Sequence, residues 1–230
     1  MILLELLYPS RCPVCDRVLP VGEKICKKCE EKLKKVEAPF CRKCGKPMAD
    51  MRLEYCPDCR QYKHLYLEGR AVYEYASVKH AIYRLKYNGR YEYADYFSCE
   101  AAKHLEHFIC EKKPDALVPV PLHPVRKRER GYNQAEALAR GIGKRLNIPV
   151  DTKLIRRTKN TIPQKLLDRE LRQNNLKKAF KIVRNDVKLS TIIIIDDIYT
   201  TGSTIDAMAE VLWEAGVSKI YYIALSIGRE

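Results

Sequence analysis

The chain has 230 residues, a formal net charge of +14 and ten cysteines. Its length allows one α/β domain with a small additional module, and since it has no run of about eighteen apolar residues, no membrane span is predicted. The basic excess favours phosphate-bearing partners, nucleic acid included, although a lysine-rich solvated surface would account for it equally well.

Residues 1–8 are apolar, contain Glu5 and lack a basic flank. They therefore predict a short packing helix and not a signal peptide. Because no export signal is recognised, the CxxC pairs that follow indicate metal binding and not disulfides, and we expect a cytoplasmic protein.

Four CxxC pairs define a first module, which we assign to residues 1–61. The pairs are Cys12/Cys15, Cys26/Cys29, Cys41/Cys44 and Cys56/Cys59. Two such turns complete a tetrahedral site, so the module is predicted to hold two structural Zn²⁺ ions. Because apolar residues are sparse here, the metal must supply folding energy. Sequential pairing (first with second, third with fourth) is favoured because each spacer fits a hairpin. A cross-braced pairing and an iron–sulfur cluster are the alternatives.

Residues 62–230 are predicted to form the second domain. A tyrosine-rich stretch at 62–76 indicates one or two strands. Two helices follow, at Val78–Tyr87 and Tyr91–Cys110. Cys99 and Cys110 share a face of the second helix and lack a CxxC partner, so they are predicted to be buried thiols.

From about residue 115 onward, strands alternate with helices. The predicted elements are strands at Leu117–Pro121, Lys153–Arg157, Phe180–Val183 and Lys219–Ile227, and helices at Ala135–Leu146 and from Thr204 to Gly216. This alternation predicts a parallel sheet with crossover helices. The polar, basic segment at 158–170 is a candidate for a mobile loop that closes over a charged substrate.

The stretch from Ile192 to Thr204 is the most informative. Four isoleucines predict a strand buried on both faces, which ends at Asp196 and Asp197. The turn into the next helix directs backbone N–H groups at one spot, which suits a phosphate; Gly202 allows close approach, and Ser203 or Thr204 can cap the helix. Carboxylates beside a phosphate suit sugar hydroxyls or a divalent cation. A ribose 5-phosphate site is predicted, with a Walker-B-like strand end or an ordinary strand-to-helix turn as the alternative.

This run closely resembles the phosphoribosyl-pyrophosphate (PRPP) motif of type I phosphoribosyltransferases: an apolar strand, two acids, then Thr-Thr-Gly-x-Thr. The resemblance implies that the 5-phosphate of PRPP is held by Thr200, Thr201, Gly202, Ser203 and Thr204. It also implies that the catalytic acids Asp196 and Asp197 hold the ribose hydroxyls, directly or through water bound to Mg²⁺. The candidates for pyrophosphate are Lys86, Arg126, Arg128 and Arg130. A charge run is usually only solvated, but this one follows a strand end, opposite the first anion site.

The chain as a whole resembles the ComF family of competence-associated, phosphoribosyltransferase-like proteins, to which the GntX-type proteins also belong. The resemblance rests on the cysteine pairs, Leu85–Gly89, Val118–His123, Arg130–Ala135, Arg157, Thr158, Gln164, Arg169, Arg172, Asn175, Ala179-Phe180 and the Asp196-Asp197 loop. It implies an α/β type I phosphoribosyltransferase fold, a parallel sheet flanked by helices, joined to an N-terminal double zinc ribbon. It also implies a link to the uptake or handling of transforming single-stranded DNA and to competence-machinery proteins.

Two hypotheses follow. In the first, the protein is a phosphoribosyltransferase that uses PRPP and Mg²⁺, and the two acids favour an oxocarbenium-like ribose electrostatically. In the second, it is a non-catalytic module that senses PRPP or binds single-stranded DNA or a partner protein. The tyrosines at residues 62–96 are predicted to be core residues more often than stacking platforms. No motif identifies the acceptor or the oligomeric state.

Overall fold

The computed structural model describes residues 9–159, 176, 178–183 and 188–228. The helix predicted at residues 1–8 and nearly all of the loop predicted at 158–170 lie outside these ranges. The same is true of four residues on which the family resemblance rests, namely Gln164, Arg169, Arg172 and Asn175.

The helices and strands succeed one another in the order expected for an α/β domain that follows a small module. They are α1 (Lys27–Glu30), α2 (Pro57–Gln61), β1 (Glu68–Glu74), α3 (Tyr75–Tyr87), α4 (Tyr93–Lys112), β2 (Ala116–Pro119), α5 (Pro124–Arg130), α6 (Gln134–Leu146), β3 (Ile155–Arg157), β4 (Phe180–Ile182), β5 (Thr191–Tyr199), α7 (Ser203–Glu214) and β6 (Lys219–Ile227). Across these ranges no helix is both long enough and apolar enough to cross a membrane.

The main sheet is parallel and has the strand order β1-β6-β5-β2, which confirms the parallel sheet predicted from the alternation of elements. The isoleucine strand β5 is central, with Ile195 opposite Ile223 of β6 on one side and Pro119 of β2 on the other. Because the strands are parallel, the carboxyl ends of β5 and β2 meet at one edge of the sheet, where ligands of open α/β sheets bind.

The isoleucines of β5 alternate between two hydrophobic cores. Ile193 and Ile195 pack with residues of α3, α4 and α6 on one face. Ile192 and Ile194 pack on the other face with residues of α7, β3 and β4 and with three cysteines of the second ribbon. Burial on both faces explains why the strand is a continuous apolar run.

The strand predicted at Lys153–Arg157 exists as β3, but the prediction of a further parallel strand is wrong. β3 pairs antiparallel with β4 in a separate two-stranded sheet. In each strand the first residue is buried and the middle residue is exposed. Strands buried on one side suit an antiparallel ribbon, whereas the interior of a parallel sheet needs strands buried on both sides.

The prediction of one or two strands within residues 62–76 is confirmed by one strand, β1, and residues 62–67 link this strand to the second ribbon. The basic run forms the short helix α5, which begins at Pro124 behind a His123 cap whose Nδ1 accepts from the N–H of Val125 at 3.4 Å. The prediction that Cys99 and Cys110 are buried thiols is wrong: Cys110 is exposed and Cys99 partly exposed, because neither lies on the apolar stripe that α4 buries.

Candidate functional site

The eight paired cysteines form two four-sulfur clusters. Cys12, Cys15, Cys26 and Cys29 make one, and Cys41, Cys44, Cys56 and Cys59 make the other, with the ligand atoms of each within 4.8 Å of one another. This is the predicted sequential pairing. The Sγ–Sγ distances are 3.8 Å for Cys15–Cys26 and 3.6 Å for Cys44–Cys56. Tetrahedral zinc with Zn–S bonds of about 2.3 Å requires sulfurs about 3.8 Å apart, so both clusters fit a structural Zn²⁺ ion.

The two ribbons differ in how they attach to the sheet. The first has a small core of its own, centred on Cys12, Leu19 and Cys29. The second contributes Cys41, Cys44 and Cys56 to the core beneath β5. There the Tyr222 hydroxyl donates to the Cys44 carbonyl oxygen at 2.5 Å. The second zinc site therefore belongs to the same packed unit as the sheet.

The turn after β5 has the geometry of an anion site. Gly202 is the N-cap of α7, with φ of 82°, so the residue expected to cap the helix, Ser203 or Thr204, is not the N-cap. Ser203 Oγ instead lies 2.9 Å from Thr201 Oγ1. A glycine N-cap has no side-chain oxygen with which to satisfy the first N–H groups of the helix, and these groups with the positive end of the helix dipole suit a phosphate.

Gly202 is also closely surrounded. A Cβ atom added at this position would lie 2.7 Å from the Tyr199 hydroxyl oxygen and 2.8 Å from Cε1 of His64. The turn thus needs glycine both for its positive φ and for the closeness of its neighbours.

Asp196 and Asp197 are buried at the carboxyl end of β5, with 9% and 4% of their surface exposed. The N–H of Asp197 donates to Oδ1 of Asp196 at 2.8 Å. Burial, and then the neighbouring Asp197 carboxylate, raise the pKa of Asp196 well above its usual range, while the charge of Lys86 acts in the opposite direction. The single adjacent ammonium pairs with Asp197, so ionisation of Asp196 as well is favoured only when a further cation binds beside the two acids.

The carboxylates also fit Mg²⁺ by their chemistry. Lys86 Nζ approaches Asp197 Oδ2 to 2.5 Å as an ion pair. Among the described residues, however, no hydrogen bond of proper geometry reaches that buried oxygen. Carboxylate oxygens are ligands that Mg²⁺ prefers, so Asp197 could hold the ion if Lys86 moved away from this oxygen.

Tyr132 and Asn133, to which the sequence assigned no individual role, hold the elements around this end of the sheet. The Tyr132 hydroxyl donates to the carbonyl oxygen of Leu85, which precedes Lys86 on α3. Asn133 caps α6 and donates through Nδ2 to the Val120 carbonyl oxygen at 2.9 Å. These residues occur in the segment quoted for the family resemblance, and the structure gives them a positioning role.

Three of the four pyrophosphate candidates lie together. Lys86, Arg126 and Arg130 line a cavity of about 430 Å³ with Tyr87, Gly89 and Glu129. Arg128 is exposed on the same short helix and does not line this cavity. Successive helical residues point about 100° apart, so α5 turns Arg126 and Arg130 to one side and Arg128 away from it.

Arg157 is a residue of this region for which the sequence indicated no role. Burial lowers the pKa of its guanidinium to about 10, with a further lowering by the charge of Arg126 and an opposing effect of Asp196. Its guanidinium also lies 5.5 Å from the centre of the Phe180 ring. Arg157 therefore adds a positive charge that acts on both Arg126 and Asp196.

Comparisons with known proteins agree with this geometry. Residues 3–60 match the double zinc ribbon domain and residues 100–228 the phosphoribosyl transferase domain. The chain is 37% identical to Competence protein F of Haemophilus influenzae over 47% of this chain and 48% of that protein. It is 32% identical to the DNA utilization protein YhgH of Escherichia coli K12 over 60% and 62%. With Competence protein ComFC of Bacillus subtilis it shares 31% identity over 86% and 82%.

The match thus covers about half the length of the Haemophilus relative and somewhat less than two thirds of the Escherichia relative. A crystal structure of a purine phosphoribosyltransferase from Pyrococcus horikoshii aligns with 58% of this chain and 71% of its own, with a TM-score of 0.34 and 18% identity.

Proposed function

Because the chain belongs to the ComF family of phosphoribosyltransferase-domain proteins with an N-terminal double zinc ribbon, we propose that it binds PRPP at the junction of β5 and α7. The α/β type I phosphoribosyltransferase fold with a zinc-ribbon module, predicted from the sequence, is confirmed by the parallel sheet and the two family matches. One observation carries the proposal: two buried acids near the end of β5 are followed, after four intervening residues, by a glycine-capped helix start, and Lys86 of the basic cavity pairs with one of them.

In this proposal residues 1–61 form the ribbon module and residues 62–230 the PRPP-binding domain. Backbone N–H groups and hydroxyls of the turn from Thr200 to Thr204 hold the 5-phosphate. Asp196 and Asp197 hold the ribose hydroxyls. The basic residues of the cavity, Lys86, Arg126 and Arg130, face the pyrophosphate.

The same residues can assist transfer of the phosphoribosyl group. When the bond between the anomeric carbon and pyrophosphate breaks, its electron pair leaves with pyrophosphate and positive charge develops on the ribose. The two carboxylates favour that charge, and the cavity's cations favour the leaving group. Mg²⁺, when bound with PRPP, would neutralise part of the pyrophosphate charge. Lys86 contacts Asp197 now, so we expect it to turn toward the pyrophosphate when ligand binds.

Replacing Asp197 with asparagine should weaken PRPP binding at least about 30-fold, or roughly 2 kcal/mol. The change removes an acceptor for ribose hydroxyls and Mg²⁺ while keeping the shape of the side chain. Titration calorimetry with PRPP, with and without Mg²⁺, measures the effect. Asp95→Asn on the exposed side of α4 is the matched control, because that acid is exposed and pairs with Arg145 at the surface. Equal affinities of wild type and the Asp197 variant would contradict the assigned role.

Turnover is tested separately from binding. The wild-type protein is incubated with PRPP, Mg²⁺ and each nucleobase of a panel, and we expect pyrophosphate release with the nucleobase that is the acceptor. Binding without release in any combination would favour a PRPP sensor over an enzyme.

A second candidate function is single-stranded DNA binding, a proposal to which the relatives' names lend support, since they refer to competence and DNA utilization. Tyr83, Tyr87 and Tyr91 are 56%, 58% and 52% exposed, so the prediction that tyrosines of this region are core residues is wrong for these three. Arg130 lies 5.3 Å from the centre of the Tyr87 ring. Exposed aromatic rings interleaved with arginines suit unpaired bases and a phosphate backbone.

Tyr87→Ala should weaken binding of a labelled oligonucleotide by roughly 5- to 150-fold, which corresponds to about 1–3 kcal/mol per stacked base. Tyr55→Ala is the control, because Tyr55 is 42% exposed in the second ribbon and has no part in this surface. Titrations at two salt concentrations should show affinity falling with salt, and added PRPP should compete because Tyr87 lines the basic cavity. A flat salt response would count against nucleic acid.

A further inference from the structure

The linker between the second ribbon and β1 is fastened along helix α7. His64 Nδ1 lies 2.7 Å from Asp206 Oδ2, and the N–H of Leu65 donates to Asp206 Oδ1 at 2.9 Å. Trp213 Nε1 donates to the Leu65 carbonyl oxygen at 2.9 Å. Asp206 lies in the first turn of α7, and its own N–H donates to the Gly202 carbonyl oxygen at 2.8 Å. The linker is thereby bound to the helix whose N-terminus forms the anion site.

The His64 imidazole fills the space beside Gly202. Its side chain is 1% exposed, and its Cε1 and Nδ1 atoms lie 2.8 Å and 3.0 Å from where a Gly202 Cβ would be. The ring stacks on Tyr66 with centroids 4.9 Å apart, and the Tyr66 hydroxyl oxygen is 2.6 Å from that of Tyr199. The His64 imidazole therefore packs against the turn at Gly202 on one side and is fixed by its stacking on Tyr66.

The second ring nitrogen of His64, Nε2, is the feature that packing alone does not account for. Nε2 of His64 is buried and has no hydrogen-bond partner among the residues that the structure describes. Since Nδ1 faces the Asp206 carboxylate, it carries the proton, and in the neutral ring Nε2 is a bare acceptor. A buried acceptor without a partner costs stability, so a side chain that only filled space here would be better apolar.

We propose that His64 is a positioning residue of the 5-phosphate turn, supplied by the linker from the zinc ribbon. It fixes the backbone at Gly202 by contact and the first turn of α7 through Asp206. Its Nε2, which has no partner among the described residues, should gain a hydrogen-bond donor from the turn when the turn binds a sugar phosphate. This inference rests on the proposed function, because it takes the turn after β5 as the phosphate site.

A His64 variant should lose affinity for the 5-phosphate end of PRPP and keep its affinity for the pyrophosphate end. His64→Ala should weaken binding of ribose 5-phosphate and of PRPP about tenfold or more. Binding of inorganic pyrophosphate alone should be unchanged, since the basic cavity does not involve the linker. His64→Asn, which keeps an N–H donor near the Nδ1 position, should recover part of the lost affinity. His107→Ala is the control, because that imidazole is 97% exposed on α4.

Calorimetry with these three ligands distinguishes this inference from the proposed function. A wild-type protein that binds no sugar phosphate would overturn the proposed function itself. Wild-type binding with unchanged affinity in His64→Ala would overturn only the role of His64. Equal losses for pyrophosphate and ribose 5-phosphate would reveal general damage and also overturn it.

A spectroscopic readout covers the case in which the alanine variant does not fold. In wild-type protein labelled with ¹⁵N-histidine, ribose 5-phosphate should shift the Nε2 resonance of His64, assigned by its loss in His64→Asn. No shift at saturating ligand would overturn the proposal.

Discussion

Replacing Cys44 with serine should destabilise the phosphoribosyltransferase domain together with the second ribbon, whereas Cys12→Ser should affect mainly the first ribbon. We expect the Cys44 variant to lose more than about 4 kcal/mol, because a structural zinc ion contributes its binding free energy to folding. In a chain of this length such a loss lowers Tm by roughly 8–16 °C.

The asymmetry follows from where each ribbon packs. The second ribbon lies against the sheet so closely that a Cβ at Gly45 would be 2.8 Å from the Gly69 carbonyl oxygen. The ring of Tyr222, whose hydroxyl binds the Cys44 carbonyl, stacks on Tyr199 at 4.6 Å with an interplanar angle of 6°. Tyr199 is the last residue of β5. Losing the metal at Cys44 therefore removes support from the strand that leads into the proposed phosphate turn.

The first ribbon is joined to the domain differently. Polar contacts join it to the domain: Arg84 Nη1 donates to the Val14 carbonyl oxygen at 2.6 Å, and Arg90 pairs with Asp16 at 3.0 Å. Contacts of this kind contribute little stability when they lie near the surface. Loss of the first metal should consequently leave the main core intact.

Thermal unfolding followed by circular dichroism, together with zinc content by a colorimetric chelator, tests this prediction. Each variant should retain about one zinc ion per chain, and only Cys44→Ser should lose the near-ultraviolet signal of the stacked tyrosines. Equal destabilisation of the two variants would contradict the distinction between the ribbons.

The elements that the sequence predicted best are those with a strong local pattern. Ile192–Ile195 and Lys219–Ile227 are apolar runs whose burial on two faces can be inferred without tertiary information, and both are strands of the sheet. The CxxC pairs could likewise be interpreted from local sequence, because two closely spaced thiolates bind one ion.

What could not be predicted depends on contacts between distant parts of the chain. His64 meets Asp206 across 142 positions, and Tyr66 meets Tyr199 across 133. Neither pair has a period or a spacing that a sequence could reveal. Lys86 and Asp197 were both predicted as site residues, but for different groups of the ligand, and only their ion pair in the structure joins them.

Asp196→Asn should abolish function and stabilise the protein at the same time. The side chain is buried beside a second carboxylate, and burial followed by that charge raises its pKa well above the usual range. Removing the ionisable group relieves a cost on the order of 1–3 kcal/mol. The amide keeps an oxygen for the N–H of Asp197, which now donates to Oδ1 at 2.8 Å. We expect PRPP affinity to fall at least about 100-fold, because the site loses half of its carboxylates.

The pH dependence identifies the cause of that stabilisation. A carboxyl whose pKa is higher in the folded than in the unfolded protein makes folding less favourable as pH rises. The cost begins above the ordinary aspartate pKa of about 3.9 and is complete above the raised folded-state value. Urea unfolding of the wild type and of Asp196→Asn should therefore give curves that converge near pH 4 and diverge as pH rises toward neutrality. If the variant were less stable at neutral pH, Asp196 would be a structural acid satisfied by its surroundings, and its burial beside Asp197 would not make its ionised form unfavourable.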